Sequence, residues 1–195
     1  ASSSLSVPPF MVDIRPGATA HVVLSHVRLT SAIRVQGSEL TLMNCTLDGA
    51  SAGVGTVAVA GLVVSSGHVY VNRSEIVGFR GGGLNVSDGS VVVDGSVIRA
   101  NGRSSEARIG GLQVTGGSAV VSSALIEGNG FAADACEPTV EEPEPCIRGG
   151  GLRVDIYGSV TLRDGTLLRS NAAYEGGSIF VTQDTSLTSP VFYDL

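Results

Sequence analysis

A phrase of about twenty residues keeps returning along this chain, and a self-similar period of that kind calls for a stack of repeated units. Leu84-Asn-Val-Ser-Asp-Gly-Ser-Val-Val-Val-Asp-Gly-Ser-Val-Ile-Arg-Ala-Asn101 returns as Leu112-Gln-Val-Thr-Gly-Gly-Ser-Ala-Val-Val-Ser-Ser-Ala-Leu-Ile-Glu-Gly-Asn129, and again, slightly longer, over residues 152–171. Anchoring each unit on an apolar-x-Val start places the starts at Ile14, Ile33, Leu62, Leu84, Leu112, Leu152 and Ile179. Each unit holds three short alternating stretches, in the best copy residues 84–86, 91–93 and 96–98, with Gly-rich or polar turns between them.

Stretches of three to five residues are not stable alone. Stacked copies can pair with the equivalent stretch above and below, which gives continuous parallel sheets. The expected fold is therefore all-β: a single-stranded parallel β-helix, or solenoid, of about six to seven coils. Helical stretches long enough for a barrel or a doubly wound sheet are missing from the pattern. The alternation assigns inward columns: Val86, Val114, Val154 and Val181; then Val71, Val93, Val121 and Leu162; then Ile76, Ile98, Ile126 and Leu168. Cys45, Ser74, Ser96, Ala124 and Thr166 form a column of small residues where the interior is narrow. Asn85, Gln113 and Arg153 face outward on one side, and Tyr70, Val92, Val120 and Thr161 on another. The domain reading is an N-terminal extension over residues 1–10 and a solenoid over 11–195, with loops inserted at about 102–109 and 130–148.

Composition narrows the function classes. The net charge is −6, and all 12 basic residues are Arg. With no domain-wide basic field, a nucleic-acid partner is not expected. No apolar run reaches the length of a membrane span, so no transmembrane segment is expected. The chain starts at Ala1 without a signal-peptide pattern, which reads as a mature or excised piece of something longer.

Gly-Gly-Gly-Leu at 81–84 and 149–152, Gly-Gly-Ser-Ile at 176–179 and Leu168-Arg-Ser-Asn-Ala-Ala-Tyr-Glu-Gly-Gly resemble the repeat signature of polymorphic outer membrane proteins. More broadly, these phrases resemble right-handed parallel β-helix repeats of the pectate-lyase-like superfamily, over roughly residues 11 to 190. The resemblance implies a right-handed coil. It says little about activity, because one fold hosts lyases, hydrolases, adhesins and passive stalks.

No catalytic constellation stands out. The Asp residues fall mostly in turns, where they serve the turn itself. His21, His26 and His68 lie in the early coils without a carboxylate pattern. Hydrolysis of a glycoside needs two carboxylates facing one bond, and stacked coils could bring such a pair together from distant positions. Arg80, Arg108 and Arg148 each sit three residues before the Gly that precedes a coil start. Stacked, they would form a ridge suited to a carboxylated glycan, although Glu175 interrupts the column in the next coil. Together with Asn85, Gln113 and Arg153 they make the candidate carbohydrate-binding set. Arg99, Glu127 and Arg169 read as a surface ladder of alternating charge. Asn101, Asn129 and Asn171 share one turn position and read as an asparagine ladder, a structural device.

The segment from Asn129 to Arg148 departs most from the repeat. Cys136 and Cys146 flank a Pro-rich acidic stretch and are expected to close it with a disulfide, which implies an oxidising, extracellular setting. Cys45, on the small-residue column, is expected to be a buried free thiol. Glu141, Glu142 and Glu144 could hold calcium, but their spacing is not that of an ordered calcium loop. No other cofactor or metal is expected. Asn44, Asn72 and Asn85 head sequons that would matter in a eukaryotic secretory pathway.

The sequence thus favours a noncatalytic secreted or cell-surface solenoid segment: a stalk, an adhesin passenger or an assembly component. Further coils or other protein chains would cap its ends, because open sheet edges are hazardous. The competing reading is a polysaccharide-acting enzyme or a carbohydrate-binding module that uses an outer face for glycans.

Overall fold

The computed structural model describes residues 10–15, 21–50, 59–103, 107, 109–131, 148–173, 176–182 and 186–188. Within them every regular element is a β-strand. Sheet A holds β1 (Phe10–Ile14), β4 (Ala32–Val35), β7 (Leu62–Val64), β10 (Leu84–Val86), β13 (Leu112–Val114), β16 (Leu152–Val154) and β19 (Ile179–Val181). Sheet B holds β2 (His21–Ser25), β5 (Ser38–Met43), β8 (Gly67–Asn72), β11 (Ser90–Asp94), β14 (Ser118–Ser122), β17 (Ser159–Arg163) and β20 (Ser186–Thr188). Sheet C holds β3 (Arg28–Leu29), β6 (Thr46–Asp48), β9 (Glu75–Val77), β12 (Val97–Arg99), β15 (Leu125–Glu127) and β18 (Leu167–Arg169). The chain visits the sheets in the order A, B, C and repeats, and every pairing is parallel. This is a β-solenoid of about six to seven coils.

Register follows the repeat. Val86 pairs with Val114 and Val114 with Val154 in sheet A. Val71, Val93, Val121 and Leu162 align in sheet B, and Ile76, Ile98, Ile126 and Leu168 in sheet C. These eleven lie inside and are almost wholly shielded from water. Each fully buried aliphatic side chain contributes about 1.5–3 kcal/mol.

Three details differ from the sequence expectation. Ile14 is not the equivalent of Ile33: Val12 pairs with Ile33 and Ile14 with Val35, so the first anchor moves back by two residues. Residues 12–14 also read apolar-x-apolar, and only pairing decides between the two frames. β1 also starts at Phe10, within the expected 1–10 extension. Val181 continues the Val154 column but is 42% exposed, because β19 is the last strand of its sheet.

Two buried polar columns hold the corners. At the C-to-A corner the Asn101, Asn129 and Asn171 side chains bond to one another along the stack. Asn129 Oδ1 accepts from the backbone N–H and from Nδ2 of Asn101, both at 3.1 Å. Asn171 Oδ1 accepts the same pair from Asn129, at 3.0 Å each. The second Nδ2 hydrogen of each goes to the carbonyl of Ile76, Ile98 or Ile126, at 2.9 Å. Asn101 and Asn129 are wholly buried with every side-chain hydrogen-bonding group used. One coil earlier Phe79 takes the ladder position, and its backbone N–H caps the column by donating to Asn101 Oδ1.

The ladder explains the glycine phrase. A Cβ on Gly83, Gly111 or Gly151 would lie 2.9, 2.9 or 2.7 Å from the Nδ2 of Asn101, Asn129 or Asn171. In these three coils the position before the start needs a bare backbone, both for the Asn at the coil's end and for the next coil's carbonyl oxygen, which a Cβ would approach to 2.5, 2.6 and 2.6 Å.

The small-residue column lies at the B-to-C corner. The Cys45 N–H donates to Ser74 Oγ and the Ser74 N–H to Ser96 Oγ, both at 3.0 Å. The Ser74 and Ser96 hydroxyls donate back to the carbonyls two residues before them. The Cys45 thiol makes the same local bond to Met43, so this buried free cysteine stands in for a serine. Just before this column the backbone is left-handed in coil after coil: Asn44, Arg73, Ser123 and Asp164 have φ of 51°, 46°, 50° and 51°.

Asn129→Ala should lower stability by about 2–4 kcal/mol, because two buried donors of Asn101 lose their acceptor; chemical denaturation measures this directly. Ser123 is exposed and left-handed, so Ser123→Val should cost about 1–2 kcal/mol while Ser123→Gly should cost nothing. Equal melting curves for the two variants would contradict the corner geometry.

Candidate functional site

Three outer faces carry whatever the solenoid can present. Sheet A places Asn85, Gln113 and Arg153 in one register column, with Phe180 next in line. Gln113 and Arg153 converge on Asp155, which follows β16. Arg153 Nε donates to Asp155 Oδ1 at 2.8 Å, and Gln113 Nε2 and the Thr115 hydroxyl donate to Oδ2. The Arg153 and Asp155 side chains are only 16% and 11% exposed. Two largely buried charges hold together because amide and hydroxyl donors fill the remaining lone pairs.

Asp155 also opens a turn closed by a 2.8 Å bond from Gly158 N–H to its carbonyl. Ile156 and Tyr157 stand out on that turn, 51% and 79% exposed, with Tyr157 at φ 65°. Beyond Arg153, the Arg148 guanidinium lies 5.6 Å from the centroid of the Phe180 ring, within cation–π range.

The expected Arg column is described at two of its three members. Arg80 is exposed, Arg148 is half-buried against Phe180, and Arg108 and Glu175 lie outside the described residues. Cys136, Cys146, Glu141, Glu142 and Glu144 also lie outside them, so the disulfide and calcium expectations fall on undescribed chain. The base of that loop is described: Gly130 bridges to Ala172, and its N–H donates to Asn101 O. Of the sequon residues, Asn44 is exposed at a corner, Asn72 is half-buried with its amide on Asp94, and Asn85 is half-buried in β10.

Sheet C carries the charge pairs. Glu127 pairs with Arg169 at 2.8 Å, but Arg99 pairs with Glu75 rather than with its register neighbour Glu127. Arg28 pairs with Asp48, whose carboxylate raises the Arg28 pKa.

Sheet B reveals a group that reading along the chain missed. His21, Glu39 and His68 stand in one outward column. His21 Nε2 bonds the Thr41 hydroxyl at 2.9 Å and lies 3.8 Å from Glu39, while His68 Nδ1 bonds Ser90 at 2.6 Å. Aligning the first coils by position in the repeat would have found it. No three His, Cys, Asp or Glu side chains among the described residues come together as a metal site, and no helix there is long and apolar enough to cross a membrane.

Carboxylates on sheet A are far apart. Asp13 in β1 and Asp155 beyond β16 are separated by five strand spacings, about 24 Å. A glycosidase pair needs roughly 5–10 Å. Asp13 is bonded to Arg15 at 2.9 Å.

The chain matches no family model, no curated protein and no solved structure.

Asp155→Ala should cost about 2–4 kcal/mol, since it strands the largely buried Arg153. A double-mutant cycle with Arg153→Met measures the pair; a coupling near zero would show that Asp155 is held by Gln113 and Thr115 alone.

Proposed function

We propose that this chain is a noncatalytic β-solenoid segment of a secreted or cell-surface protein, acting as a stalk, adhesin passenger or assembly component. In this reading it resembles polymorphic outer membrane protein repeats, its coil is right-handed, and further coils or other chains continue the stack. One observation carries the reading. Five of the described carboxylates are each tied to an Arg in the same or an adjacent coil: Asp13 to Arg15, Asp48 to Arg28, Glu75 to Arg99, Glu127 to Arg169, and Asp155 to Arg153. Side chains spent on holding the stack suit a scaffold. The loops at 102–109 and 130–148 supply recognition.

A second reading, a carbohydrate-binding face, draws on the shared register of Asn85, Gln113 and Arg153 and on the Arg148–Phe180 stack. It is weaker because Gln113 and Arg153 are committed to Asp155.

Incubation with neutral and acidic polysaccharides, with and without calcium, should release neither unsaturated nor reducing ends. Product from any one substrate would overturn the scaffold reading. Retention on an immobilised acidic polysaccharide, lost in Arg148→Ala, would favour the second.

A further inference from the structure

Sheet B differs from the other two in width and charge. Most of its strands run five or six residues, against two to five in A and C. Its central outward column is Val23, Thr41, Tyr70, Val92, Val120 and Thr161. Val23 is 52% exposed and Tyr70 43%, with Met43, diagonal to both, at 40%. Charge on this face is sparse: Glu39 in the first flanking column, beside the ionisable His21 and His68, and Asp94 and Arg163 in the other. Sheets A and C, in contrast, are crossed by Arg–acid pairs.

We propose that sheet B is a homodimer interface: two copies pack face to face about a two-fold axis parallel to the solenoid axis. The occupant follows from area and charge. Seven strands at about 4.8 Å spacing and five residues at about 3.3 Å give a footprint near 500 Å² per copy. The pair buries about 1,000 Å², the lower edge of a specific interface. A partner of the same extent covers the whole face, and a second sheet B is one.

Charge selects the axis. With the two-fold along the solenoid axis, the central column meets itself and the flanking columns exchange. Tyr70 then faces Tyr70, while Asp94 faces Ser90 and Arg163 faces Ser159. With the two-fold along the strands and centred on β11, Asp94 would face Asp94, and like charges directly opposed are destabilising. The packing is the aligned kind, strands crossing at about 30° as twisted sheets require. The inference goes beyond the scaffold reading and does not depend on it, since an enzyme or a glycan binder could dimerise through the same face.

The test is sedimentation velocity of the full chain from low micromolar to near-millimolar concentration. A reversible monomer–dimer equilibrium is expected. Tyr70→Glu, which sets carboxylates against each other across the axis, should weaken it at least about tenfold; Val120→Lys serves if that variant melts early. Ser90→Arg should strengthen it, because the new guanidinium meets the other copy's Asp94. A chain that stays monomeric throughout, a dimer indifferent to both Tyr70→Glu and Val120→Lys, or a Ser90→Arg variant that dissociates more readily would each overturn the proposal.

Discussion

Everything in this molecule depends on in-register pairing between coils. Strands of two or three residues cannot hold themselves, so each backbone group looks to the coil above or below for its partner. Pairing of this kind is unforgiving at the corners, where the chain turns and the ladder of strand bonds breaks. The asparagine column and the serine column extend the logic of the sheet into those corners. Each Asn amide bonds the Asn one coil away, and each Ser hydroxyl accepts from the backbone N–H of its equivalent, so over these coils polar contacts run along the stack as the core does. The left-handed residues before each column follow from that: the corner must be sharp to keep the next strand in register, and Ser, Arg and Asp accept the strain.

What was legible in the sequence is what recurs. Ile98 and Ile126 could be placed inside, and Asn101, Asn129 and Asn171 at one turn, because each appears at a fixed offset from a coil start. What was not legible depends on side-chain reach or on a single departure. Arg99 has acids at two positions within reach, and choosing Glu75 over Glu127 is a matter of rotamer, not register. The Asp155 cluster joins Gln113 to a residue 42 positions away. It forms because one turn places an acid where other coils carry Thr115, Ser87 or Ser65. The Ile14 anchor failed for a simpler reason: the sequence alternation offers two frames two residues apart, apolar in both, and only a partner strand separates them. The His21–Glu39–His68 column was readable in principle, but only by tracing the outward positions of the early coils as carefully as the inward ones.

The three outer faces have diverged although the interior has not. A repeat fixes its inward positions through packing, and any misfit is felt in two neighbouring coils. Outward positions carry no such constraint. They have become a charge-paired face on sheet C, a clamped amide–acid–guanidinium group on sheet A and a broad, nearly uncharged plane on sheet B. A solenoid of this kind can change what it presents on one side without renegotiating the fold.

The ladder also has a chemical side. Asn101 and Asn129 are each followed by glycine, the arrangement in which a mobile chain loses side-chain ammonia when the next backbone nitrogen attacks the amide carbon. In the stack both nitrogens are occupied: Gly102 N–H donates to Phe79 O at 2.8 Å, and Gly130 N–H to Asn101 O at 2.7 Å. The amides themselves are pinned from both sides. Folding is thus what preserves these two residues from ageing, and the damage would be self-sealing. A carboxylate left in place of the Asn129 amide has no hydrogen to offer Ile98 or Asn171, so a chain that lingers open long enough to deamidate loses the part it needs to close again.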